Sequence, residues 1–180
     1  MGKWIFGTRP SSSPRQNTAA QLKSFSTRLA QGGATLVLNP SASDETVCKD
    51  AYRRTLLEAP SGRLVCGYVY ADAGWGESST DLIYAGHNLI AENGTILAER
   101  RFATGLTITE IDLQKLAHER QRMTTYPADA PDLYPNYFEL ERTETRLTRP
   151  IAPNPFVPAD HGDRAARCRE ALTPAALVRT

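Results

Sequence analysis

Cys48, Cys66 and Cys168 are the residues of this chain with the chemistry of a strong nucleophile. Catalysis by a thiol requires a base beside it and a third group that orients the base. Cys66 lies in the apolar run LVCGYVY, where an inert core thiol is the commoner role. Cys48 lies near the predicted start of a helix, which can lower a thiol pKa, so a catalytic role stays open for it. Cys168 lies in a charged segment and is predicted to have a surface or packing role.

The thiols and the three histidines, His87, His118 and His161, are scattered along the sequence. No CxxC pair is present, so the sequence predicts neither a zinc site nor a disulfide framework. Isolated thiols are typical of a reducing compartment, which predicts a cytoplasmic location. His87 is expected to fill a position in a β-hairpin. Neither GxxxxGK[ST] nor GxGxxG after a strand occurs, so no nucleotide-binding loop is predicted.

Ser41 and Ser43 lie between an apolar run and a predicted helix, and Lys49 lies in the first turns of that helix. The start of a helix offers free backbone N–H groups and a positive dipole end, which together bind anions such as a carboxylate. Lys49 would add a positive charge to that site. The competing interpretation is a helix cap, in which a side-chain oxygen of Ser43 or Asp44 accepts the free N–H groups. From the residues alone, the cap is the commoner role for the serines, and a solvated side chain is the commoner state of Lys49.

The loop ADAGWGESSTDL, residues 71–82, carries Asp72, Glu77 and Asp81. Paired carboxylates can act in acid–base catalysis. Glycines and acids also mark tight turns and caps, which is their commoner use. We therefore interpret the loop as a shaped connection rather than a catalytic loop.

Apolar runs and turn signals predict the elements that position these residues. The first half of the chain is predicted to form a strand, a helix and a second strand, at residues 34–39, 45–58 and 64–70. Pro40 and Ser41 are expected to end the first strand, and the PSG sequence at 60–62 is expected to end the helix.

Asn93-Gly94 lies between two matched runs, and this dipeptide tolerates the positive φ of a tight turn, so a β-hairpin is predicted there. The remaining predicted elements are a strand at 105–111, a helix at 112–123, an extended segment at 137–147 and a helix at 162–172. Strands that alternate with helices predict a layered α/β or α+β domain.

The composition is 41% hydrophobic and 23% charged with a net charge of +1, which is typical of a soluble globular protein. A near-neutral balance argues against nucleic acid or an anionic membrane as a partner. No apolar run approaches the roughly 18 residues that span a bilayer.

Residues 9–25 differ from the rest, because they are basic and rich in Ser and Pro, and the first acid of the chain is Asp44. A transit peptide has such a composition, and a basic nucleic-acid arm is a weaker alternative. We favour a third interpretation, a divergent or out-of-frame segment in residues 1–25.

Three stretches carry a resemblance to a known family: GATLVLNPSASDETVCKDAYRR, YVYADAGWGESSTDLIYAGHNLIAENGTILAERRF and IDLQKLAHERQRMTTY. In this order and spacing they resemble the glutaminase domain of glutamine-dependent NAD(+) synthase, a member of the nitrilase, or carbon–nitrogen hydrolase, superfamily. The resemblance covers residues 26–126. PFVPADHGDRAARCREAL, residues 155–172, also resembles the arm that leads to the synthetase domain of that family.

The resemblance implies a partial four-layer α-β-β-α sandwich in residues 26–150 and a linker arm in residues 151–180. In the family a Glu–Lys–Cys triad hydrolyses glutamine, and the ammonia is used for the ATP-dependent amidation of deamido-NAD. Ser43 and Lys49 match the positions that hold the amino-acid end of glutamine. The family also implies a homo-oligomer, with ATP and Mg bound in the synthetase domain and no cofactor in this part.

The segment expected to hold the family's catalytic Cys falls in residues 9–25, which contain no Cys and no acid. The resemblance places the triad's Glu and Lys upstream of residue 1 and the ATP-binding loop beyond residue 180. We therefore expect a fragment of the enzyme with no catalytic residue of its own, inactive alone. The alternative is a non-catalytic, nitrilase-like assembly partner.

Overall fold

The computed structural model of the chain describes residues 25–126, 146–151, 153–154 and 157–177. The chain divides into two compact units, residues 1–145 and residues 146–180. The described elements of the first unit are α1 (Phe25–Gln31), β1 (Leu36–Ser41), α2 (Lys49–Leu64), β2 (Gly67–Asp72), β3 (Asn88–Glu92), β4 (Thr95–Arg100) and α3 (Leu113–Arg122). The second unit contains α4 (His161–Leu177). Most of residues 1–25 and of the predicted extended segment 137–147 lies outside the described residues.

The four strands form one sheet in the order β1-β2-β3-β4. β1 and β2 are parallel, and α2 is the crossover between them; β2–β3 and β3–β4 are antiparallel. The prediction that Pro40 and Ser41 end the first strand was wrong, because β1 continues through both and pairs Pro40 with Ala71. A proline lacks an N–H group but is tolerated on an edge strand, and β1 pairs only with β2.

The bounds predicted for the helix at 45–58 were also wrong. The observed helix, α2, begins at Lys49 and continues through the PSG sequence to Leu64. Burial of Ser61 and Leu64 holds this last turn against the rest of the fold. Val65 then closes the helix in the left-handed region, with a φ of 47°, and its N–H donates to the carbonyl of Gly62. Tertiary packing therefore overrides the local breaker signals.

The predicted hairpin is confirmed: β3 and β4 are joined by Asn93 and Gly94, whose φ angles are 47° and 83°. The helix predicted at 112–123 is confirmed as α3, and the Asp112 carboxylate accepts a hydrogen bond from the N–H of Lys115 at its start. The strand predicted at 105–111 was wrong, since this segment has no regular secondary structure. α4 extends beyond its predicted end at residue 172.

The core lies between α1, α2 and one face of the sheet, and it consists of Ala30, Val37, Leu57, Leu64, Cys66, Tyr68, Tyr70, Leu89 and Ala91. Side chains alternate along a strand, so Leu38, Val69 and Ile90, which are register partners, belong to the opposite face. That face is covered only in part, because Leu38 is 51% exposed while Ile90 is 8% exposed. The predicted α/β class is confirmed, and a helix layer on one sheet is what part of a four-layer sandwich contains.

Ser61 connects the end of α2 to the hairpin. Its hydroxyl is fully buried, donates to the carbonyl of Cys66 at 2.7 Å and accepts from the N–H of Gly94 at 3.2 Å. A Cβ atom added to Gly62 would lie 3.2 Å from the Cα of Gly94, so the helix and the turn are in backbone contact. The hydroxyl therefore bonds two backbone groups at the place where the helix and the turn are in close contact.

Ser61→Ala is expected to lower the free energy of unfolding by about 1–3 kcal/mol, because the N–H of Gly94 loses its hydroxyl acceptor and the buried carbonyl of Cys66 loses one of its two donors, the other being the N–H of Asn93. Thr55→Ala is the matched control, since its hydroxyl bonds the Ala51 carbonyl on the exposed side of the same helix. That control should change stability by less than about 0.5 kcal/mol. Urea unfolding followed by circular dichroism measures both values, and equal effects would contradict the role of Ser61.

Candidate active-site region

The predicted anion-binding residues lie where the two parallel strands end. β1 ends at Ser41, β2 ends at Asp72, and residues 42–48 connect β1 to α2. The carboxyl ends of parallel strands are a common place for ligands in open α/β sheets. Ser43 and Lys49 therefore lie in a region where a ligand site is expected.

Ser43 is held on both sides of its backbone. Its N–H donates to Oδ1 of Asp72 at 2.8 Å, and its carbonyl accepts from the guanidinium of Arg53 at 2.9 Å. The Arg53 guanidinium also lies 3.4 Å from Oγ of Ser43. The expected capping role of Ser43 or Asp44 was wrong, because α2 starts later, at an N-cap formed by Cys48 without a side-chain hydrogen bond.

Lys49 is the first residue of α2 and points back to the loop that precedes it. Its Nζ donates to Oδ1 of Asp44 at 2.6 Å and also to the Asp44 carbonyl. The Lys49 side chain is only 20% exposed, so it is not the solvated side chain that is common for lysine. The hydrogen bond and charge of Lys49 hold the pKa of Asp44 below its ordinary value. An ammonium group partly out of water is thus present at the helix start.

Cys48 directly precedes Lys49 and has a φ of 65°, in the left-handed region. This conformation is sterically unfavourable for a residue with a Cβ atom. The Cys48 and Cys168 thiols are exposed, and the Cys66 thiol is buried. Burial raises the pKa of Cys66 to about 11, which keeps that thiol protonated at neutral pH. Cys66 is therefore placed as the inert core thiol that its apolar run predicts.

Arg53 is the central residue that the sequence did not single out as functional. It is 2% exposed and forms an ion pair with Glu45, while Oδ2 of Asp72 lies 3.6 Å from its guanidinium. Arg101, which follows β4, reaches the other oxygen of Glu45 at 2.7 Å and Asp50 at 3.2 Å. The helical spacing of Lys49 and Arg53 was a signal for a shared face, but the acidic partners come from distant parts of the chain.

Burial and hydrogen bonding shift the pKa of Glu45 in opposite directions. Burial raises the pKa of Glu45, but the hydrogen bonds and charges of Arg53 and Arg101 outweigh it and leave that pKa below its ordinary value. The N–H of Ala51 lowers the pKa of Asp50, which lies in the first turn of α2. Glu45 and Asp50 are therefore ionised at neutral pH, and the Glu45 carboxylate pairs with the buried guanidinium.

Glu99 of β4 contacts both His87 and α2. His87, directly before β3, is fully buried, and its Nε2 lies 2.8 Å from Oε1 of Glu99. Glu99 also pairs with Arg54 of α2. This arrangement fixes the hairpin to the helix, in agreement with the structural role predicted for His87.

The acids of the loop after β2 differ in their surroundings. The side chain of Asp72 is fully buried, whereas Glu77 and Asp81 are exposed. The hydroxyl of Ser78 accepts from the N–H of Tyr84 at 3.0 Å, and that of Ser79 accepts from the N–H of Leu82 at 3.2 Å. The loop is thus shaped by its own serines, and only its first acid reaches the candidate site.

Among the described residues, no group of three or more His, Cys, Asp and Glu side chains is arranged to hold a metal ion. None of the helices in this part of the chain combines the length and the apolar character that a bilayer span requires.

Comparison with known proteins found relatives of this chain among glutamine-dependent NAD(+) synthetases. The glutamine-dependent NAD(+) synthetase of Mycobacterium tuberculosis is 36% identical over 162 aligned residues, which cover 81% of this chain. This chain is a homologue of part of that synthetase. The aligned region spans 23% of the length of the mycobacterial enzyme. No family model matches the chain.

Two further similarities accompany the synthetase. Human deaminated glutathione amidase is 32% identical over 113 residues, covering 62% of this chain and 34% of the amidase. The crystal structure of a glutamine-dependent NAD(+) synthetase from Cytophaga hutchinsonii aligns with 41% identity and a TM-score of 0.39, over 41% of this chain and 13% of that chain.

Glu45→Gln is expected to lower the free energy of unfolding at neutral pH, because the buried Arg53 loses a charged partner. The pKa of Glu45 lies below its ordinary value of 4.5 in the folded chain. The contribution of Glu45 to stability is therefore complete above its ordinary pKa and is lost as the pH falls through its lower pKa in the folded chain. Urea unfolding between about pH 3 and 7 should show wild type and variant converging in acid. Glu77→Gln, an exposed control, should match wild type throughout, and a constant gap for Glu45→Gln would contradict the prediction.

Proposed function

We propose that the chain corresponds to the C-terminal part of the glutaminase domain of a glutamine-hydrolysing NAD(+) synthase, with the start of the arm toward the synthetase domain. The observation that carries the proposal is the homology to the synthetase over 81% of the chain. The placement of Ser43 just after β1 and of Lys49 at the start of α2 supports it. The activity of the whole protein would be the ATP-dependent amidation of deamido-NAD with ammonia from glutamine.

In this proposal the amino-acid end of glutamine binds at the start of α2. Lys49 donates to the α-carboxylate, and Ser43 contributes a hydroxyl beside it. In this structure the ammonium of Lys49 donates to Oδ1 of Asp44. The ligand carboxylate would replace the Asp44 carboxylate as the acceptor. A charge-assisted contact of this kind contributes about 1.5–3 kcal/mol.

We propose no catalytic residue within the chain. Cys66 is buried with a raised pKa, and no base or orienting group is described beside the exposed Cys48. The carboxylates Glu45 and Asp72 already balance the charge of Arg53, so they do not suit Mg or ATP. Both cofactors would belong to the synthetase domain of the whole protein. A cytoplasmic homo-oligomer, with neither nucleic acid nor membrane as a partner, remains our expectation.

The binding part of the proposal is tested by titrating the chain with glutamine while its amide signals are followed by NMR. Lys49→Met should weaken binding by roughly 10–100-fold, the loss expected for one charge-assisted hydrogen bond. Lys115→Met on the exposed face of α3 is the matched control and should bind as wild type does. Ammonia release from glutamine, measured on the same samples, should stay at the background rate. Equal binding by the two variants would contradict the site, and glutamine-specific ammonia release would contradict the absence of catalysis.

The second candidate is a non-catalytic partner that docks onto an intact synthase. The observation that favours it is the set of exposed apolar side chains Leu38, Leu106 and Ile108, which are 51%, 80% and 79% exposed. Large exposed apolar side chains are typical of contact surfaces when they form a patch.

The docking role predicts that the purified chain elutes together with a purified full-length synthase in gel filtration. Leu38→Lys should abolish that co-elution, because it places a charge in an apolar contact. Leu172→Lys in the second unit, where Leu172 is 68% exposed, is the control and should still co-elute. Separate elution of the wild-type chain would contradict the docking role, and the interpretation as a fragment of the synthase would then remain.

A further inference from the structure

We propose that Arg53 and Asp72 are positioning residues of the glutamine site: together they hold the backbone of Ser43 and Asp44 where Lys49 can meet a ligand carboxylate. Neither residue is among those that the resemblance assigns to the site. The inference rests on the proposed function and deepens it, since it names the residues that give the loop its shape.

The loop between β1 and α2 has few hydrogen bonds of its own. Its described backbone contact with another segment is the N–H of Glu45, which donates to the carbonyl of Ile83 at 2.6 Å. Within the loop, the N–H of Lys49 donates to the carbonyl of Thr46 at 3.2 Å. A segment with so few backbone bonds takes its conformation from the side chains that reach it.

Arg53 supplies most of those contacts. One terminal nitrogen of its guanidinium donates to Glu45, and the other donates to the carbonyls of Ser43 and Asp44, each at 2.9 Å. A planar guanidinium can reach several acceptors in fixed directions at once, whereas the ammonium of a lysine is a single point of charge. The residue type is therefore specific to the geometry of this loop.

Asp72 completes the arrangement from the opposite side. Its carboxylate is fully buried, and Oδ1 accepts the N–H of Ser43. Ser43 is thus fixed at its N–H by β2 and at its carbonyl by α2. Oδ2 of Asp72 has no hydrogen-bond partner and lies 3.6 Å from Arg53, so the two positioning groups attract each other across the loop.

Lys49 depends on this arrangement because it shares an acceptor with Arg53. The carbonyl of Asp44 accepts from both cations, which lie one helical turn apart on α2. A shift of the Asp44 backbone would therefore move the group that orients the Lys49 ammonium. Arg53 touches no ligand in this scheme and acts through Ser43, Asp44 and Lys49.

The test compares Arg53→Lys with Arg54→Lys, the same substitution one residue along the same helix. Arg54 is half exposed and pairs with Glu99 outside the loop. Two readouts are recorded by NMR on each protein: hydrogen exchange at the Ser43 amide, and the Kd for glutamine. Arg53→Lys should lower Ser43 protection and weaken glutamine binding by about tenfold each, while the amides of β3 and β4 keep their wild-type protection. Arg54→Lys should leave both readouts unchanged.

The two readouts separate the positioning role from the proposed function. If the wild-type chain binds no glutamine, the proposed function fails, and Ser43 exchange alone decides whether Arg53 holds the loop. If Arg53→Lys retains wild-type protection at Ser43, or loses protection equally throughout the sheet, the positioning role is overturned. Should Arg53→Lys not fold, Asp72→Asn provides the same comparison, because a neutral amide accepts a weaker hydrogen bond from Ser43. A smaller but selective loss at Ser43 supports the proposal, and an unchanged Ser43 amide overturns it.

Discussion

The buried guanidinium of Arg53 can be accommodated in this fold only because acceptors from several parts of the chain surround it. A charge removed from water costs several kcal/mol unless it is paired and hydrogen-bonded. Glu45 and Asp72 supply the negative charge, and the carbonyls of Ser43 and Asp44 supply further acceptors. The positions of the β1–α2 loop, the end of β2 and the first turns of α2 are therefore coupled to one side chain.

The parallel pair of strands is what brings those partners together. α2 crosses from the end of β1 to the start of β2, so the carboxyl ends of both strands and the start of the helix lie at one edge of the sheet. The hairpin then adds Arg101 to the same cluster through Glu45. At the other end of α2, Ser61 binds the carbonyl of Cys66 and the turn of the hairpin. The helix is thus tied to the sheet at both of its ends.

Local signals predicted some elements well and others poorly, for identifiable physical reasons. Asn93-Gly94 predicted the hairpin turn because few dipeptides tolerate two successive positive φ angles. The helix predicted at 112–123 matches α3, whose start is stabilised by the Asp112 carboxylate because it accepts the free N–H of Lys115. Pro40 led to a wrong end for the first strand, because a proline interrupts a central strand but is tolerated in an edge strand such as β1. The start of α2 was misplaced because Ser43 and Glu45, which suit a helix start, are engaged by Asp72 and Arg53 instead.

The sequence by itself determined the family resemblance, the α/β class and the hairpin, and the resemblance implied Ser43 and Lys49 as candidate ligand residues. The class and the hairpin depend on residue types at short spacing, where chain geometry leaves few alternatives. Only the tertiary structure decided that Arg53 and Asp72 hold Ser43 from both sides and that Lys49 is paired with Asp44. Arg53 and Asp72 are on different elements, so nothing local indicates their contact. The cost of burying a charge is met by partners that the fold alone brings within reach.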